Sequence, residues 1–230
     1  MLGAACRPYV KAGPGLFAYF FARGKLSGDP IYRAILERGL LAGRHRVLDL
    51  GCGQALLAAW LHAAARMHEA GRWPDGWPPA PRPRSVRGIE LMTRDVERAR
   101  RALGTDVDVE AGDIRTCDFG TADAVVVLDV LHYLDFPAQH AVLRRVRCAL
   151  PPGGLLLLRV GDAAGGFRHR LTRWVDAVVM RARGHARIDP HCRNVGEWRA
   201  ILGDAGFDSE ALPMSQGTPF ANVLLIAHAR

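Results

Sequence analysis

Lysine is almost missing from this chain: of its 31 basic residues only Lys11 and Lys25 are lysine, and the rest are arginine. With abundant alanine and glycine, that skew reads as a compositional habit, so the net charge of +8 is only partly a statement about partners. A balance of this sign attracts anions in general, whether nucleic acid, acidic lipid or an acidic protein. Long apolar runs are missing too. Those at residues 55–61, 122–128 and 155–158 fall far short of the ~20 residues a membrane-spanning helix needs. Residues 16–22 (LFAYFFA) are apolar but equally short, and residues 1–6 end in cysteine without the hydrophobic stretch of a lipoprotein signal. The chain is therefore expected to be unprocessed and cytoplasmic. Cysteine is scarce and scattered, at Cys6, Cys52, Cys117, Cys148 and Cys192 with no CxxC pair, which argues against a disulfide framework or zinc site. His185, Asp189, His191 and Cys192 lie close in sequence, but with loop spacing and no second cluster no metal is expected.

What is present suits one large globular domain, or a domain with a lid: 230 residues, 49% hydrophobic and 23% charged. Apolar periodicity predicts helices at 16–23 and 31–40, the second started by Asp29 as N-cap and Pro30 at the first helical position. From residue 46 the pattern alternates. Strands are expected at 46–50, 86–91, 107–111, 122–128 and 155–160, with helices at 54–68, 93–103 and 138–150 between them. Residues 71–85 (GRWPDGWPPAPRPRS), with five prolines and two tryptophans, read as an inserted loop. A basic amphipathic segment at 166–187 and a helix at 195–205 follow. Two last strands, 209–214 and 221–229, should pair antiparallel across a short turn. Alternating strands and helices argue an α/β fold with a mainly parallel sheet.

The strongest local signal is VLDLGCGQALLA at residues 47–58. Glycines at 51 and 53, between a strand and a helix, let backbone approach a ligand beside free helix N-terminal amides. A dinucleotide fingerprint would want a third glycine at position 56, where Leu56 stands. The string resembles the first motif of class I S-adenosylmethionine-dependent methyltransferases, hh(D/E)hGxGxG, with Ala55 in place of the last glycine. Further matches follow in order: Glu90 ending the second strand, Asp113-Ile114 after the third, Leu128-Asp129-Val-Leu-His132-Tyr133 after the fourth, and the turn 151–154 (PPGG) before the fifth. Removing the proline-rich insertion restores the usual spacing to Glu90. A late step around Trp198, Leu202 and Ala205-Gly-Phe207 completes the series, which spans about 44–229.

The resemblance implies a Rossmann-like seven-stranded, mostly parallel sheet with an antiparallel last strand and helices on both faces. It also implies an N-terminal helical lid at 1–43, a methyltransferase domain at 44–230, and S-adenosyl-L-methionine as cofactor. By the same resemblance, Asp49 would anchor the turn or meet the amino-acid end of the cofactor, and Gly51, Cys52 and Gly53 would line it. Glu90 and Leu91 would hold the ribose, Asp113 and Ile114 the adenine, and Leu128 and Asp129 complete the site. His132 is the candidate general base, because an imidazole titrates near neutral pH. Tyr19, Arg23, His132 and Tyr133 are candidates for the acceptor. The (D/N)PP(Y/F/W) motif of nucleobase amine methylases is missing at 129–132, which favours oxygen or carbon acceptors. The string at 20–30 (FFARGKLSGDP) also resembles methyltransferases of bacterial aryl-polyene or xanthomonadin-type pigment clusters, implying an aromatic or phenolic acceptor, free or carried on an acidic acyl carrier protein. Competing readings are an RNA methyltransferase or binder, suggested by the charge, and a non-catalytic cofactor-binding scaffold, suggested by Ala55. The basic segment 166–187 is a candidate surface for an acidic partner or a membrane.

Overall fold

Asp29 and Pro30 start a helix in the way their order suggests: the aspartate side chain accepts from the Ile31 amide at 3.2 Å, and proline, with no amide hydrogen, fills a first-turn position. That helix, α3 (Pro30–Glu37), follows α2 (Phe17–Gly28) and a short α1 (Leu2–Cys6) in a computed structural model describing residues 1–13, 16–161, 191–216 and 222–230. The basic segment 166–187 lies outside the described residues, as does most of the turn before the last strand.

Seven strands form one sheet in the order β3-β2-β1-β4-β5-β7-β6. They are β1 (Arg46–Leu50), β2 (Ser85–Glu90), β3 (Asp108–Ala111), β4 (Ala124–Leu128), β5 (Leu155–Gly161), β6 (Phe207–Pro213) and β7 (Asn222–Ala229). β1 pairs parallel with β2, and β2 with β3, while β7 runs antiparallel to both β5 and β6. Between the strands stand α4 (Leu56–Glu69), α5 (Thr93–Leu103), α6 (Phe136–Ala149) and α7 (Val195–Asp204). The Rossmann-like fold class and its antiparallel last strand are as the sequence implied.

The chain divides into two compact units, Met1–Val126 and Val127–Arg230. In the first, β1 is buried from Val47 to Leu50, and α4 is buried along most of its length, including Trp60, whose indole donates to the Tyr32 carbonyl at 2.7 Å. The proline-rich stretch carries neither helix nor strand before β2. Its Trp73 and Trp77 rings meet edge to face at 5.6 Å, and the Trp73 indole donates to the Pro78 carbonyl at 2.9 Å. In the second unit, Leu155–Leu158 of β5 are fully or almost fully buried, as expected of a strand covered on both faces. α7 opens with a reciprocal capping box between Asn194 and Glu197. Its Trp198, Ile201 and Leu202 are buried, with α7 packed on β6.

Candidate cofactor site and the loop after the fourth strand

The site in the first unit is built on the end of β1. Gly51 (φ 74°), Gly53 (φ 56°) and Ala55 (φ 57°) are all left-handed, so every second residue of the turn takes a conformation that side chains oppose. Ala55 does so with a side chain, which locates the departure from the usual third glycine. The amides of Gly51 and Cys52 both donate to the Ile89 carbonyl, at 2.8 and 3.2 Å, fastening the turn to β2. A methyl group added to Gly88 would sit 2.6 Å from the Cys52 sulfur, so β2 is bare where the turn crosses it. No such crowding exists at Gly53, where an added Cβ meets nothing within 4 Å.

Two carboxylates face this turn. Glu90 accepts from the Gly53 amide through Oε2 and from the Met92 amide through Oε1, both at 2.9 Å. It thereby bridges the glycine turn and the start of α5, and each oxygen keeps room for a further donor. Asp49 is 5% exposed, and no hydrogen-bond donor among the described residues reaches its carboxylate. Burial, and then the charge of Glu90, raises its carboxyl to about 7. The same burial, with Asp49 and Glu90 nearby, pushes the Cys52 thiol well above its usual range.

Glu90 leads directly to the third predicted position. Its carbonyl accepts from the Gly112 amide at 3.0 Å, which sets Asp113 beside the end of β2. The Asp113 carboxylate accepts from Nε and Nη2 of Arg115, at 2.9 and 2.5 Å, and from the Arg115 amide. Ile114 is buried, whereas Leu91 is 60% exposed. The structure thus brings Asp49, Gly51, Cys52, Gly53 and Glu90 to one corner, with Asp113 tied to it through the backbone.

The N-terminal residues do more than the sequence suggested. Tyr9 is fully buried, and its hydroxyl donates to the Gln54 carbonyl at 2.7 Å, while α1 packs on α4. Residues 2–11 form α1 and a 3-10 turn that periodicity did not reveal. The Gln54 side chain beneath is 2% exposed, and neither amide atom has a hydrogen-bond partner among the described residues. Arg23 is exposed on α2, close enough to Cys6 for its charge to act on that thiol, and Tyr19 meets Phe20 edge to face at 5.4 Å.

In the second unit the chain leaves β4 through Asp129, at φ 60°, a rare conformation for a residue with a side chain. Its carboxylate pairs with Nε and Nη2 of Arg159 on β5, and that arginine is fully buried. A fixed ion pair thus holds this turn. His132 and Tyr133 follow on a 3-10 turn (Leu131–Tyr133), their rings 4.0 Å apart and tilted by 52°. His132 is buried, and its carbonyl accepts from the His191 amide at 2.9 Å. Among the described residues no group of His, Cys, Asp and Glu is arranged to hold a metal.

These residues fit the cofactor the sequence implied. A buried carboxylate suits a cationic group, spare acceptor sites on Glu90 suit hydroxyls, and the open space at Gly53 admits close approach of a ligand.

Comparison with known proteins agrees. The profile of a family described as "Methyltransferase domain" matches residues 17–212. A carboxy-S-adenosyl-L-methionine synthase of Enterobacter sp. (strain 638) is 32% identical over 206 residues, covering 80% of this chain and 78% of that protein. A protein of the same name from Chromohalobacter salexigens is 36% identical over 129 residues, but the match spans 54% of this chain and only 42% of the relative's length. Among solved structures, magnesium protoporphyrin IX methyltransferase from Synechocystis, with bound S-adenosylhomocysteine, aligns with a TM-score of 0.60 at 20% identity, covering 98% of this chain and 93% of the other. An O-methyltransferase family protein from Burkholderia thailandensis gives 0.64 at 17% identity, over 93% and 59% of the two chains. At these identities the structural likeness establishes the fold.

Proposed function

The chain belongs to the methyltransferase domain family, whose members use S-adenosyl-L-methionine, and on that footing we propose that it methylates an oxygen or carbon atom of a small or carrier-bound aromatic acceptor. The observation that carries the donor half is Asp49, a buried carboxylate at a turn of left-handed residues beside Glu90. Asp49 meets the amino-acid end of the cofactor, and Gly51 and Gly53 line it. Glu90 accepts from ribose hydroxyls while keeping its bonds to Gly53 and Met92. Asp113 accepts from the adenine amine once Arg115 yields part of the carboxylate, and Leu91 and Ile114 give apolar contact. The cofactor supplies an electrophilic methyl group on a sulfonium, so the protein's task is alignment and exclusion of water.

On the acceptor side, His132 takes the proton of a phenol or carboxylic acid, with the Tyr133 ring tilted against its own. Tyr19 and Arg23 of α2 contribute to acceptor binding. An acidic carrier protein would meet the arginine-rich surface of a chain whose net charge is +8. A second reading has support of its own. The Enterobacter relative is a carboxy-S-adenosyl-L-methionine synthase aligned over most of both chains, so the reaction product would be a carboxylated cofactor rather than a methylated acceptor.

Calorimetric titration of stripped protein with S-adenosylhomocysteine tests the donor half. One-site binding is expected, weakened by about 1–3 kcal/mol in Glu90→Ala because charge-assisted bonds are lost. Unchanged affinity in that variant would refute the cofactor assignment. Incubation with S-adenosyl-L-methionine and phenolic acceptors, with and without a decarboxylating carboxylic acid as carboxyl donor, followed by mass spectrometry, separates the readings. Methylated acceptor supports the first and a carboxylated cofactor the second, while cofactor binding without any product points to a scaffold. A wild-type rate in His132→Ala would remove His132 as the base.

A further inference from the structure

One side-chain cluster of the second unit is left unused by the cofactor assignment. Gln139 of α6 is fully buried, and its Nε2 donates to the carbonyls of Leu131, Leu134 and His191, at 3.1, 3.0 and 2.9 Å. With its nitrogen committed to three acceptors, the amide has one orientation left. Its Oε1 accepts from Nε of Arg193 at 2.9 Å. The guanidinium lies over the Phe136 ring, 4.3 Å from its centroid, and over that of Trp198 at 5.9 Å. An arginine gripped at Nε and laid over two rings loses little entropy on binding, and its two Nη groups form the fork that matches a carboxylate.

Among the described residues, the unpaired buried polar atoms of this cluster can donate. Among the described residues neither Nη of Arg193 has a hydrogen-bond or ion-pair partner. Glu197 accepts from the Asn194 amide in the capping box and Asp135 from the Ala138 amide at the start of α6, and neither is paired with Arg193. Trp198 is 1% exposed and its Nε1–H is unpaired, as is the buried Nδ1 of His191, whose ring meets Phe136 edge-on at 5.3 Å. An indole N–H and a guanidinium fork can only donate, and a histidine nitrogen donates when it carries the proton. A group that only accepts completes such a set. Phe136, 43% exposed, offers an apolar surface next to the fork.

We propose that Arg193, oriented by Gln139 over the rings of Phe136 and Trp198, is a carboxylate-recognition residue that takes an acid group of the methyl acceptor. Recognition of a carboxylate on an aromatic ring follows from the fork and the adjoining Phe136 face. The link to the acceptor rests on the function proposed above: the His191 amide bonds to the carbonyl of His132, so the Arg193 segment is anchored to the residue assigned as the base. Arg193 is a specificity residue here, and Gln139 a positioning residue that acts through it.

The test is calorimetry on the full-length protein without cofactor, using 4-hydroxybenzoate and its neutral isostere 4-hydroxybenzamide. The acid is expected to bind at least about tenfold more tightly than the amide, and Arg193→Met to abolish that preference. Failure of the acid to bind, equal affinity for acid and amide, or a preference retained in Arg193→Met would each overturn the proposal. Should Arg193→Met fail to fold by circular dichroism, Arg193→Lys and Trp198→Phe take its place. Weaker acid binding in either with native spectra supports the site, and unchanged binding in both overturns it. S-adenosylhomocysteine titration of the same proteins keeps the two readings apart. Acid binding without cofactor binding leaves the anion site standing and removes the methyl-transfer assignment, whereas cofactor binding without acid preference does the reverse.

Discussion

Burial and the neighbouring Glu90 keep Asp49 protonated up to about pH 7, and two consequences follow. Below about pH 4 the carboxyl carries its proton in folded and unfolded chains alike. Between there and pH 7 only the unfolded chain ionises it, so this group's contribution to stability falls as pH rises through that window. Asp49→Asn should therefore raise the melting temperature of the cofactor-free protein at pH 7.5 and flatten its decline from pH 5, while lowering affinity for S-adenosyl-L-methionine. A melting temperature unchanged at both pH values would contradict this. The second consequence concerns the ligand. A cation placed beside Asp49 draws its pKa down, so S-adenosyl-L-methionine binding near neutrality should release a proton. Titrations in phosphate and in Tris would then give different apparent heats, and Asp49→Asn would make them agree. At this scale the cofactor residues were legible because glycine and acid spacing is local. Tyr9 was not, since its bond to Gln54 joins residues 45 positions apart and neither belongs to a periodic pattern. The Asp113–Arg115 ion pair could have been suspected from its i, i+2 spacing at a turn.

Among the elements, β2 is the one whose geometry reaches the site most directly. An added methyl at Gly88 would meet Cys52 Sγ at 2.6 Å and Cβ at 3.1 Å, and the Cys52 amide is itself bonded to β2. Gly88→Ala must push the turn away from the strand. Overpacking of this kind costs roughly 1–3 kcal/mol of stability, and S-adenosylhomocysteine affinity should fall with it. Calorimetry of a folded Gly88→Ala protein with wild-type affinity would show that the turn has slack. The elements themselves were mostly readable. β1 and α5 agree with expectation residue for residue, because a polar-to-apolar change and a clear 3.6 period mark them. α2 runs five residues beyond the expected helix, through a Gly–Lys–Leu–Ser–Gly stretch that propensity alone would end. There tertiary packing through the buried Leu26 outweighs the weak local preference. The short helices at 2–11 went unseen for the opposite reason: each is too brief to show a period.

For the molecule as a whole, the seven-stranded, mostly parallel sheet with an antiparallel last strand was implied by motif sequence and is present, while the strand order comes from the structure; the acceptor was not legible, because residues that choose it need not recur in a spacing. Arg193 and Gln139 stand 54 positions apart and meet only in the fold. The sheet order carries one further implication, for synthesis. β7 is inserted between β5 and β6, both made earlier, and Gly153 and Gly154 bond to Ala229 at its end. Until β7 arrives, β5 has no partner on that side, and its Leu155–Leu158 run is an open, apolar edge of the kind that pairs with other chains. A chain truncated before residue 222 should accumulate as aggregate, with sedimentation showing little monomer; a monodisperse truncated protein would disprove this. A nascent chain held on the ribosome presents the same bare edge, so chaperone protection during translation would be needed most in the interval between completing β5 and completing β7.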